Sequence, residues 1–126
     1  MIRIEITPAI RGRAGSYKAS GHAGPMTDTT CAKVCTSVTA IEECLAANLL
    51  DMFNIRATRR TEGGRYELRW NKSDKQGRGI RRSNDAAGFA YNGLKALAAA
   101  YPDKLQVEWK RPNEERRDNH DHPGGN

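Results

Sequence analysis

The residues best suited to covalent chemistry are Cys31 and His22, nine positions apart. A cysteine thiolate is a strong nucleophile, and histidine is the usual base that generates one near neutral pH. Cys31 follows the cluster Thr27-Asp28-Thr29-Thr30 and stands in the first turn of a segment with helical periodicity. A helix N-terminus carries partial positive charge and free N–H groups, both of which favour thiolate over thiol. The N–H groups of Cys31 and Ala32 are also placed to stabilise an oxyanion. His22 closes a strand-like segment between Gly21 and Ala23, and loop 24–30 can fold back to bring the imidazole to the sulfur. Each residue taken singly also has a structural explanation, since cysteine is among the most buried residue types.

Other polar residues divide in the same way. Asp28 caps the helix in one reading and orients His22 in the other, and the two roles are compatible. Cys35 lies one turn beyond Cys31, so a second thiol lines the same face. Cys44 is assigned to the apolar stripe and the core. The three cysteines match no four-ligand zinc set. His120-Asp121-His122 belongs to a solvated terminus. No metal and no cofactor is called for. Lys72, Lys75, Arg78, Arg81 and Arg82, with Gly77 and Gly79, form a basic loop that suits phosphate contacts, but without aromatic residues for base stacking.

The elements that must position these residues follow from the apolar periods. Ile2, Ile4 and Ile6 alternate with Arg3, Glu5 and Thr7, which is a half-buried strand, and Ser16 to Ala23 is its hairpin partner. From Cys31 to Met52 the stripe Val34, Val38, Ile41, Leu45 and Leu49 gives a long helix, with Glu42, Glu43 and Asn48 mostly off the stripe. Ile55 to Thr61 and Arg65 to Trp70 form a second hairpin turning at Glu62-Gly63-Gly64. Asn71 to Ser83 reads as a loop. Asp85 to Tyr101 reads as a helix with Phe89, Ala90, Leu94, Leu97 and Tyr101 on one side, stopped by Pro102. Leu105, Val107 and Trp109 make a final strand. The expectation is an α+β fold in the order β-β-α-β-β-α-β, a mainly antiparallel sheet of about five strands with two helices packed on it.

Length and composition set the outer bounds. A chain of 126 residues holds one real core. The apolar residues give out after Trp109, so residues 1 to 110 are read as a single domain and 111 to 126 as a disordered polar tail. No apolar run approaches the roughly 20 residues of a membrane span, and MIRIEITPAIRGR lacks the pattern of a secretory signal. With an odd number of cysteines, the expected location is the cytoplasm. A net charge of +6 favours encounter with anionic partners, nucleic acid among them.

The run Gly21-His22-Ala23-Gly24, followed by Asp28-Thr29-Thr30-Cys31-Ala32-Lys33-Val34, resembles the ribosomal-processing cysteine protease family (Prp). That family's hallmark is Gly-His-Ala, a Gly-rich loop, and Asp-x-x-Cys-Ala-x-Val-Ser at a helix start. Gly88-Phe89, Leu94, Tyr101-Pro102 and Leu105-Gln106-Val107 resemble its C-terminal helix and strand, so the likeness covers roughly residues 1 to 110. It implies a cytosolic, generally homodimeric α+β protein that removes a short extension from a large-subunit ribosomal protein. Related enzymes trim capsid or scaffold proteins during phage assembly. The resemblance assigns Cys31 as nucleophile, His22 as base and Asp28 as a supporting group. Two departures stand out. The loop between His22 and Cys31 is shorter than usual, with Pro25 and Met26 in it, and Cys35 replaces the motif's Ser.

Two functions follow. One is an endopeptidase that cuts a short segment from a ribosomal or phage structural protein through a Cys31–His22 dyad. The alternative is a non-catalytic basic module that binds RNA or a ribonucleoprotein through the Lys72–Arg82 region, with Cys31 as buried packing. A protein substrate and a homodimer are the partners of the first reading, and no membrane is involved in either.

Overall fold

The computed structural model describes residues 1–52, 57–70 and 78–111. Alternating apolar residues form β1 (Ile2–Thr7), which turns back into β2 (Gly15–Ser20). α1 (Thr29–Ala47) runs on into a π-helical turn (Asn48–Met52). β3 (Ala57–Glu62) and β4 (Arg65–Trp70) make the second hairpin, α2 covers Arg78–Ala100, and β5 (Leu105–Trp109) closes the order. The five strands form one sheet in the order β3-β4-β2-β1-β5. Its pairings are antiparallel except β1 with β5, which run parallel because α2 carries the chain back across the sheet.

Register puts one apolar face under the helices. Ile4 pairs with Ala19 and Val107, and Ile6 with Tyr17 and Trp109, while Tyr17 pairs on its other side with Leu68. Val34, Val38, Leu45 and Leu49 bury against this face, together with Ala86, Ala87, Ala90 and Leu94 of α2. The small residues of α2 let it pack closely on α1. The opposite face is polar: Glu5 pairs with Lys18, and Lys18 with Glu67, a row of alternating charge across three strands.

Several expectations need correction. α2 starts at Arg78, inside the stretch read as a loop. Its first turns hold because polar residues are buried by specific contacts: the Ser83 hydroxyl donates to the Ile80 carbonyl at 2.9 Å. Asn84 receives the Ala9 N–H at 2.8 Å and donates to the Ala9 carbonyl at 2.8 Å. Arg81 and Arg82 are therefore exposed residues of a helix, whereas Lys72, Lys75 and Gly77 lie outside the described residues. Phe89 is 75% exposed, because it sits about 140° round the helix from Leu94. Cys44 is exposed and not core; thirteen steps from Cys31 carry it about 220° round. Glu42, by contrast, sits only about 40° round the helix from Val38, at the edge of the stripe, and is buried. β2 ends at Ser20, so Gly21 to Ala23 belong to the following loop. The tail from residue 112 on, with His120 and His122, is also outside the described residues. Among those described, no helix is long and apolar enough to cross a membrane.

Candidate active site

The first residues of β1 and β5 and the last of β2 share one end of the sheet, where Ile2 pairs with Leu105 and Arg3 with Ser20. From this end the chain leaves β2 through Gly21 and returns to start α1. Gly21 has φ +89, and any side chain there would run into the Met1 carbonyl, so the exit from β2 needs glycine.

Asp28 is the N-cap of α1. Its Oδ1 accepts from Thr30 N–H at 2.8 Å and from Cys31 N–H at 3.1 Å. Those two bonds, the Cys31 one first, hold its carboxyl below the usual aspartate range. The Asp28 N–H donates to the Pro25 carbonyl at 3.0 Å, which fixes the turn before the cap. This geometry corrects the simple oxyanion reading. The Cys31 N–H is taken by Asp28, and the Ala32 N–H donates to the Asp28 carbonyl at 3.0 Å as a normal helical bond.

The Cys31 side chain is 3% exposed. Gly24 covers its sulfur: a Cβ on Gly24 would stand 2.6 Å from Sγ. Ala23 is buried too, and through Gly24 the loop 21–28 forms a roof over the thiol. His22 is exposed, and its Nε2 faces the tight turn of the β3–β4 hairpin, 3.4 Å from where a Gly64 Cβ would lie. Among the described residues no hydrogen bond joins His22 to Cys31. The thiol that shares a cleft with His22 is Cys35, in a space of about 350 Å³ between α1 and the hairpin. The structure thus brings Asp28, Gly24 and Cys31 together, and places His22 with Cys35 and Gly64.

One nearby group was not visible in the sequence. The ammonium of Lys104, in the turn before β5, is held above the usual lysine range by Asp103, then by the negative charge the Cys31 sulfur carries when ionised and by the Asp28 carboxylate. Lys104 is far from Cys31 along the chain, and only the pairing of β5 with β1 brings it to this end of the sheet.

Solved structures with the same arrangement of elements settle what the fold is. The fold is that of the ribosomal processing protease Prp. The Prp of Staphylococcus aureus in complex with a substrate peptide superposes with a TM-score of 0.69 at 15% identity, over 87% of this chain and 100% of that one. The same protease with a covalently linked product peptide gives a TM-score of 0.65 at 17% identity, with coverage of 87% and 100%. The SMU.848 protein of Streptococcus mutans gives 0.69 at 18% identity, over 88% of this chain and 95% of that one. No protein-family profile and no curated protein matches this chain. The Prp-like fold therefore rests on shape, while the site motif rests on Gly21 to Val34.

Proposed function

We propose that this protein is a cysteine endopeptidase in which Cys31 is the nucleophile and His22 the base. The observation that carries the reading is the place of Cys31, in the first turn of a helix and roofed by the loop that carries His22. It is supported by a fold shared with a protease solved with a substrate peptide.

In this reading the described arrangement is a resting one. Loop 21–28 lifts from Sγ and brings the imidazole to the thiol, which gives up its proton to His22. The thiolate adds to a peptide carbonyl carbon, and the carbonyl oxygen takes the negative charge. Rotation of the Asp28 side chain frees the Cys31 N–H to meet that oxygen. The C–N bond then breaks, and the imidazolium proton goes to the leaving amine. Water, deprotonated by His22, hydrolyses the thioester and restores the free enzyme. The substrate is an extended segment of a ribosomal or phage structural protein, cut in the cytoplasm by a homodimer.

The test is cleavage of a mixture of peptides and intact ribosomal proteins, read by mass spectrometry for new termini. The expected result is a defined set of cuts made by the wild type and absent with Cys31→Ser. Cuts that persist in Cys31→Ser, or no cut with either protein, overturn the proposal.

A further inference from the structure

The cleft beside His22 has a polar floor that the peptidase chemistry does not use. It opens between α1 and the β3–β4 hairpin and is lined by Cys35, Thr39, Glu42, Gly64 and Tyr66 as well as His22. Glu42 is 7% exposed. Its one hydrogen bond among the described residues comes from the Tyr17 hydroxyl, which donates to Oε2 at 2.6 Å. An ionised carboxylate accepts about four hydrogen bonds, so most of its capacity is unfilled. The Tyr66 hydroxyl is buried and has no partner in strict hydrogen-bond geometry among the described residues, although the Arg59 guanidinium lies close enough to interact with it.

The charges around the cleft do not balance. Glu43, at its edge, is already paired with Arg59 at 3.3 Å. Arg65 also lines the cleft, but strand alternation sends its side chain to the opposite face of the sheet, since Tyr66 and Leu68 point to the helices. Among the described residues no cation pairs with the buried Glu42 carboxyl, and Arg59 is committed to Glu43 and the Tyr66 hydroxyl. Burial pushes its carboxyl above the usual glutamate range, and the Tyr17 hydroxyl only partly offsets that. A buried acid of this kind is relieved by a cation with several donors.

We propose that this cleft is a subsite for one basic side chain, arginine or lysine, from a residue flanking the scissile bond. Its head group is held by Glu42, with the Tyr66 hydroxyl as a second partner. The cleft's volume of about 350 Å³ accommodates such a side chain together with some water. The basic residue's place next to the cut bond rests on the peptidase reading, because Cys35, one helical turn from Cys31, lines the cleft. The cleft's preference for a cation does not.

The experiment separates the two. N-acetyl-arginine methylamide and its norleucine counterpart are titrated into the wild-type protein and followed by ¹H–¹⁵N NMR. The arginine probe is expected to shift the Thr39, Gly64 and Tyr66 amides at concentrations at least ten-fold lower than norleucine, and Glu42→Gln is expected to remove most of that selectivity. Equal binding of the two probes by the wild type overturns the subsite, and this comparison requires no variant to fold. So does full selectivity in a folded Glu42→Gln protein. Peptides differing only in the residues flanking the cut then test the placement. Cleavage at least ten-fold faster with arginine or lysine at one flanking position supports it, and cleavage indifferent to charge there overturns it while leaving the peptidase intact. Arginine binding without any cleavage retains the cation site and removes the peptidase.

Discussion

Gly24 lies directly over the Cys31 sulfur, so close that a Cβ at position 24 would stand 2.6 Å from Sγ. No real side-chain carbon tolerates that distance, so Gly24→Ala must push loop 21–28 off the thiol. The expected outcome is a loss of about 1–3 kcal/mol in stability, as for other overpacked sites, and several-fold faster alkylation of Cys31 in the folded protein. Thermal melts and thiol labelling check both effects. Wild-type values in both would mean that the roof is not a tight one.

Asp28 ties the same loop to α1, and its carboxyl is held low by the Cys31 and Thr30 N–H groups. A depressed pKa means that the cap's contribution is complete above the usual aspartate range and is lost as pH falls through the lowered value. Asp28→Asn keeps an acceptor for the cap but does not titrate. Its melting temperature is expected to fall less steeply than that of the wild type on the acid side, which a series of melts between neutral pH and strong acid will show.

The Tyr17–Glu42 pair behaves in the opposite sense. Burial raises the Glu42 carboxyl, so this group's contribution is complete below the usual glutamate range and is lost as pH rises through the raised value. Tyr17→Phe leaves the acid without its only donor among the described residues and is expected to cost about 1–3 kcal/mol. Glu42→Gln is expected to flatten this part of the stability–pH curve. Urea melts at several pH values measure both.

Asn84 clamps the β1–β2 connection to α2 through both polar groups of Ala9. Asn84→Ala leaves that N–H and carbonyl unpaired in a partly buried place, and is expected to cost about 1–3 kcal/mol. Asn84→Asp retains the acceptor but loses the donor, so it should rescue only part of the loss. The comparison is a pair of urea titrations.

The fold was legible where apolar spacing alone decides structure. The alternation of Ile2, Ile4 and Ile6 and the stripe through Val34, Val38 and Leu45 gave β1 and α1 close to their observed extents. The first turns of α2 were hidden because Ser83 and Asn84 read as polar, and their burial depends on partners that spacing does not reveal. Phe89 and Cys44 were misplaced by counting along helices without following the angle. In the candidate site, the motif singled out Cys31, His22 and Asp28. It carried no sign that Asp28 would occupy the Cys31 N–H, that the His22 ring would face Gly64, or that β5 would bring in Lys104. Those are products of sheet order and loop path.

The central claim is that Cys31 is reactive despite being the most covered of the three cysteines. Exposure alone ranks their reactivity as Cys44, then Cys35, then Cys31. The direct measurement is the iodoacetamide alkylation rate of each cysteine against pH, resolved by mass spectrometry, in wild type and His22→Ala. A Cys31–His22 dyad predicts that Cys31 reacts fastest at pH of about 6 to 7 and that His22→Ala removes this advantage. Rates that follow exposure, with Cys44 first and Cys31 unreactive in both proteins, would contradict the account.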